Sequence, residues 1–166
     1  MKKVLVIAAA AALCAGMLSG CGASTSDSSN SSNSSSTSAE QSADVAMSYT
    51  TVDELKAELD SDDVVVVDVR KAADYEAGHI KGAVSADMDA AKAGDTDAGT
   101  ANMKAALEEA TSSETGDGKQ LVLVCYTGKS YAQAGTNVLD AMGADMTKVT
   151  TLEGGMEAWG SDDLEK

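Results

Sequence analysis

Residues 119–142 read KQLVLVCYTGKSYAQAGTNVLDAM. Leu121 to Val124 are consecutive apolar residues that end in Cys125. Tyr126, Thr127, Gly128, Lys129 and Ser130 follow as a short loop. Ala132, Gly135, Val138, Leu139 and Met142 then recur at the spacing of one helical face. The stretch predicts a buried strand, a cysteine, a tight loop and a helix. It puts a thiol at the carboxyl end of a strand, where open α/β sheets place their ligand sites. The start of the following helix also favours a thiolate, through unpaired amides and the helix dipole.

Upstream, Thr51-Val52-Asp53-Glu54 fits a capping box, and Val52, Leu55 and Leu59 carry helical spacing to Asp60. Val64 to Val67 are four β-branched residues, so VVVVDVR predicts a fully buried strand. Asp68 and Arg70 stand two apart at its end and share a side. They read either as an ion pair that fixes the strand end or as a way to bring Arg70 near the thiol loop. A helical turn over Ala72 to Glu76 stops at Gly78, and Ala83 to Ala86 suits a short strand. His79 is the only histidine. It could serve Cys125 as a base, but a structural residue bonded to backbone is the preferred reading. Residues 89–100 read as a surface excursion, Asn102 to Ala110 as a helix, and residues 111–118 as a loop.

Downstream, Gly143 ends the central helix. Val149 to Leu152 is a final short strand, Glu153-Gly154-Gly155 a turn, and Met156 to Trp159 a helical start. Trp159 reads as packing. Alternating strands and helices imply an α/β domain, its mainly parallel sheet flanked by helices on both faces.

The amino end differs in kind. Lys2 and Lys3 precede an apolar run from Val4 to about Leu18, which is short of the roughly 20 residues a bilayer crossing needs. The pattern is that of a secretory signal over residues 1–20. Leu18-Ser19-Gly20-Cys21 resembles the lipobox of bacterial lipoproteins, which implies lipid on Cys21. Cys14 would then be removed and Cys21 capped, leaving Cys125 the only thiol and no internal disulfide. A packing role as a small core residue is the bland alternative for Cys125. Residues 21–48 are rich in Ser, Asn, Thr and Ala and suit a flexible tether, leaving residues 49–166 as one domain.

The 166 residues carry a formal net charge of −15. Without residues 1–20 the chain has 10 basic and 27 acidic side chains, net −17. That excludes nucleic acid and electrostatic adhesion to anionic lipid. Phe and Pro are absent, so the core rests on aliphatic residues and Met.

Three motifs, in order over residues 50–160, resemble a single-domain rhodanese, a sulfurtransferase module. They are Asp68-Val69-Arg70 followed by Asp74-Tyr75 and Gly78-His79-Ile80; Cys125-Tyr126-Thr127-Gly128 before a helix; and Leu152-Glu153-Gly154-Gly155-Met156 with Trp159. The resemblance implies a compact α/β domain in which Cys125 carries a persulfide. Sulfane sulfur would pass from a donor such as thiosulfate or a persulfide to cyanide or a thiol. Tyr126 to Ser130 and Arg70 would line the substrate site, with Asp68 and His79 in support. No metal or organic cofactor is implied. The chain is expected to be a monomer, held on the outer side of a membrane by the Cys21 lipid, or in a periplasm where an outer membrane exists.

Departures from the family are informative. Many members carry Arg five positions after the cysteine, where Ser130 stands here, and Lys129 could supply part of that charge. Lys81 replaces a common proline, which concerns a turn. Asp74 occupies a position where some thiosulfate-using members carry a basic residue. These changes weigh against thiosulfate as the physiological donor. The alternative is a non-catalytic rhodanese-like binding or sensing module. A related phosphatase or arsenate reductase would need Arg six positions after the cysteine, where Tyr131 stands.

Overall fold

The computed structural model describes residues 43–161 and 164–166. The expected signal segment, lipidated Cys21 and most of the expected tether lie outside the described residues. Among the described residues, no helix is long and apolar enough to cross a membrane.

The strands are β1 (Tyr49–Thr50), β2 (Val64–Asp68), β3 (His79–Ile80), β4 (Val84–Ser85), β5 (Gln120–Val124), β6 (Val149–Leu152) and β7 (Leu164–Glu165). The helices are α1 (Val52–Glu58), α2 (Ala72–Ala77), α3 (Asp89–Lys92), α4 (Thr96–Thr111), α5 (Ser130–Ala141) and α6 (Gly155–Trp159). Five strands form a parallel sheet in the order β1-β6-β5-β2-β4. β3 and β7 form a separate antiparallel pair. The fold is therefore the α/β architecture expected, and β2 and β5 lie side by side at its centre with Val64 opposite Gln120 and Asp68 opposite Val124.

The period-two geometry of the central strands divides the core. Val65, Val67, Val69, Leu121, Leu123 and Cys125 point to the face covered by α4 and α5. Val66, Val122 and Val124 point to the other face, packed by Leu55 of α1 and Trp159 of α6. Val67, Val122, Leu123 and Val124 have no exposed surface. Burying such side chains stabilises the fold by about 1.5–3 kcal/mol each. Because β2 and β5 are buried on both faces, each carries an unbroken apolar run.

The capping box is present. Glu54 N donates to Thr51 Oγ1 at 3.3 Å, and Thr51 N donates to Glu54 Oε2 at 2.8 Å. Residues 89–100 differ from the surface excursion expected. They form α3 and the first turn of α4, which starts six residues before Asn102. Asp95 caps α4 by accepting from Ala98 N at 3.0 Å. Gly99 is required by close approach: a Cβ there would lie 2.5 Å from Ala91 Cβ.

Residues 44–48, read as the end of the tether, lie along the domain. Val45 N donates to Asn137 Oδ1 at 3.0 Å, and Gln133 Nε2 donates to Val45 O at 2.8 Å. Thr151 N donates to Ser48 O at 2.8 Å, extending the pairing of β1 with β6 backwards.

Candidate active site

Cys125 directly follows β5, and the chain turns through Tyr126–Lys129 into α5. The cysteine is 1% exposed, at the edge of the core beneath α5. The loop is held from the side of α6. Met156 N donates to Cys125 O at 2.8 Å, and Glu157 N donates to Tyr126 O at 3.1 Å. The turn before α6 approaches so closely that Gly155, at φ 58°, has no room for a side chain. An ideal Cβ there would lie 2.8 Å from the amide nitrogens of both Thr127 and Gly128, and closer still to Cys125 O. The Leu-Glu-Gly-Gly-Met motif is thus the wedge that shapes the cysteine loop.

Among the described residues, the backbone amides from Tyr126 through Ala132 have no protein acceptor. The first protein-bonded amide after the cysteine is that of Gln133, which donates to Lys129 O at 2.8 Å. A run of unspent N–H groups beside a thiol suits a thiolate, a persulfide or an anionic group.

Two tyrosines rim this loop, each tied to an aspartate. Tyr126 donates its hydroxyl proton to Asp74 Oδ2 at 2.5 Å and accepts from Lys71 N at 3.3 Å. Tyr131 donates to Asp89 Oδ1 at 2.6 Å. The two rings meet edge to face, centroids 5.1 Å apart. Asp87 sets the spacing of the aspartates: its carboxylate accepts from Ala72 N at 3.1 Å and Asp89 N at 2.8 Å, joining the starts of α2 and α3. Burial, then the bond to Asp74, pushes the Tyr126 phenol up. The bond to Asp89, then burial, pushes the Tyr131 phenol well above its ordinary range.

The Asp89 carboxyl is held below its ordinary value, first by the Tyr131 hydroxyl and then by Lys71. A depressed carboxyl contributes stability above the unfolded pKa and loses it as pH falls through the folded one. Substituting Tyr131→Phe should return the Asp89 titration towards the ordinary carboxylate range, read by carbon-detected NMR. An unmoved titration would mean that Lys71 and Lys92 alone set it.

Arg70 is 7% exposed. Its Nε bonds both oxygens of Asp68 at 3.0 Å, its Nη2 bonds Asp68 Oδ2 at 2.6 Å and Gly78 O at 2.8 Å. Burial lowers the guanidinium pKa and the Asp68 bond and charge raise it, with a net rise. The guanidinium reaches the loop only through the face of Tyr126, with Cζ 5.9 Å from the ring centroid. The ion-pair reading of Asp68 and Arg70 is the one this geometry matches.

His79 Nδ1 lies 3.0 Å from Tyr75 O, and its ring stacks on Tyr75 at 3.9 Å. Both contacts are structural. Thr127 is half-buried and Gly128 buried in the loop, whereas Lys129 and Ser130 are exposed. Lys129 forms no ion pair among the described residues. Sequence reasoning did not find the rim formed by Tyr131, Asp87 and Asp89. Asp89 fell in the stretch read as surface, Asp87 just before it had been given no role, and the pairing of Tyr131 with Asp89 spans 42 positions.

The family model of the rhodanese-like domain matches residues 51–162, more than half of the chain. The chain therefore belongs to the rhodanese-like domain family. It is similar to a rhodanese-like domain protein from Staphylococcus aureus, with 30% identity over 72% of this chain and 97% of that one, at a TM-score of 0.53. It is also similar to SSP1007 from Staphylococcus saprophyticus subsp. saprophyticus, with 27% identity over 72% of this chain and 100% of that one, at a TM-score of 0.51. No curated protein matches the chain.

Proposed function

We propose that this protein is a sulfurtransferase that carries a sulfane sulfur as a persulfide on Cys125. The observation that carries the reading is the run of unspent amides from Tyr126 through Ala132 around the thiol. The Cys125 thiolate attacks the outer sulfur of thiosulfate, forming Cys125–S–S⁻ and expelling sulfite. With a persulfide donor, the leaving group is the donor thiolate. Cyanide then takes the outer sulfur as thiocyanate and regenerates the Cys125 thiolate. Both half-reactions conserve atoms and charge, and neither needs an outside oxidant. The free amides stabilise the anionic persulfide without reorganising. Membrane attachment through lipid on Cys21, on the extracytoplasmic side, completes the proposal and rests on the Leu18–Cys21 motif.

The near-complete burial of Cys125 favours a second reading, a binding module in which the cysteine only packs. Intact mass spectrometry separates the two. After incubation with thiosulfate or a polysulfide, the parent should gain one sulfur and Cys125→Ser none. Cyanide should remove it as thiocyanate appears. No gain from either donor would leave the binding module as the reading.

A further inference from the structure

A cleft of about 550 Å³ opens where β2, β5 and β6 begin, at the end of the sheet opposite Cys125. Gln120, the first residue of β5, lines it, and Val124, the last, precedes the cysteine. At ~3.4 Å per residue the strand puts about 17 Å between cleft and thiol. No residue of the cysteine loop lines the cleft. Its volume suits a small ligand.

The donors of the cleft gather on the turn before β5. Gly116, Asp117 and Gly118 pass through three consecutive left-handed conformations, at φ 90°, 53° and 71°. The backbone amides of Asp117 and Gly118 have no protein acceptor among the described residues. Such successive free amides form a concavity that attracts anions. Lys148 Nζ donates to Gly118 O, and Lys119 Nζ donates to Asp62 O at 2.8 Å. Each ammonium keeps two protons for another partner. Neither forms an ion pair among the described residues. In a chain of net charge −15, two neighbouring lysines held by carbonyls rather than carboxylates leave a positive centre unspent. Thr150 also lines the cleft, and its buried hydroxyl has no partner. An unpaired buried hydroxyl costs about 1–3 kcal/mol. The cleft carries acceptors as well. Asp63 and Asp117 line it and form no ion pair among the described residues.

We propose that this cleft binds a small phosphorylated polyol, as a site separate from Cys125. The phosphate sits between the Lys119 and Lys148 ammoniums and the Gly118 amide, donors that one tetrahedral oxyanion meets together. The hydroxyls of the polyol donate to Asp63 and Asp117, and one of them pairs with the Thr150 hydroxyl. The two carboxylates set the selectivity. They repel a bare phosphate and favour one whose hydroxyls stand between it and them. The ligand comes from solution and not from a lipid headgroup, because the net charge opposes approach to an anionic membrane.

The test titrates glycerol 3-phosphate, inorganic phosphate and glycerol separately into the full chain and follows the Gly118 amide by NMR. Glycerol 3-phosphate should shift it with a Kd of about 1 mM, inorganic phosphate should bind about fivefold more weakly, and glycerol should leave it unmoved at about 10 mM. Lys148 is exposed and lies outside the strands, so Lys148→Gln should fold as the parent does. It should raise the Kd for glycerol 3-phosphate about fivefold, the scale of one exposed charge contact. Asp63→Asn/Asp117→Asn should tighten inorganic phosphate and bring the two Kd values together. No shift of Gly118 with glycerol 3-phosphate at about 10 mM would overturn the proposal. So would an unchanged Kd in Lys148→Gln, or inorganic phosphate binding the parent as tightly as glycerol 3-phosphate does. None of these readouts involves sulfur on Cys125, so the site and the sulfurtransferase reading fail separately.

Discussion

Substituting Gly155→Ala should cost the domain about 3 kcal/mol and lower sulfur transfer by about a hundredfold. Two effects add. A left-handed backbone disfavours any Cβ by about 1–2 kcal/mol, and Gly155 sits at φ 58°. The new methyl would also press on Cys125 O and on the Thr127 and Gly128 amides, all backbone atoms that cannot swing aside. Relief comes only from moving the turn off the loop, which breaks the bonds from Met156 N and Glu157 N to Cys125 O and Tyr126 O. The loop that carries the free amides then loses its present shape. Gly143→Ala is the control. Gly143 has φ 78° and open space where its Cβ would be, so it suffers the backbone penalty alone. Chemical denaturation should show Gly143→Ala losing about 1 kcal/mol with transfer kept. If Gly155→Ala behaves like Gly143→Ala in both assays, the wedge does not shape the loop.

This difference between two glycines also shows what a sequence can disclose. Gly143 reads as a helix end and Gly155 as part of a turn. Only the fold reveals that one of them faces three backbone atoms. The central strands were legible because burial on both faces leaves no polar residue in them, so Val64–Val67 and Leu121–Val124 announce themselves. The capping box was legible because its partners are three residues apart. β3 and β7 were not legible, since two-residue strands carry no period and their pairing joins His79 to Glu165. The start of α4 was hidden by small and acidic residues, whose helix depends on the Asp95 cap and on contact with Ala91. At the site, strand, cysteine and loop were visible as one segment. The rim was not, because Tyr126–Asp74 spans 52 positions and Tyr131–Asp89 spans 42. A cleft along α5 was least visible of all, since one of its walls is Asp44, in a stretch whose composition reads as linker.

Arg70→Met should destabilise the domain by about 3–5 kcal/mol, the usual effect of leaving one buried charge without its partner. The stranded charge is Asp68, 1% exposed, which would keep only the Arg70 backbone amide at 3.0 Å among its present donors. Gly78 O would lose its donor as well. Asp68→Leu alone should cost a similar amount, since the guanidinium then keeps only Gly78 O. The double variant Asp68→Leu/Arg70→Met should recover much of the loss, because paired apolar replacements of a buried ion pair are often close to neutral. Urea midpoints for the four proteins give the coupling directly. Independent, additive losses would mean that the pair does not hold the end of β2. The same cycle decides what Arg70 does for the thiol. Its guanidinium is spent on Asp68 and Gly78 and meets the loop only across the Tyr126 ring. The refolded double variant should therefore still load sulfur on Cys125 from a persulfide donor. If stability returns in the double variant while loading stays lost, Arg70 acts on the donor itself, and the ion pair is the means of aiming it.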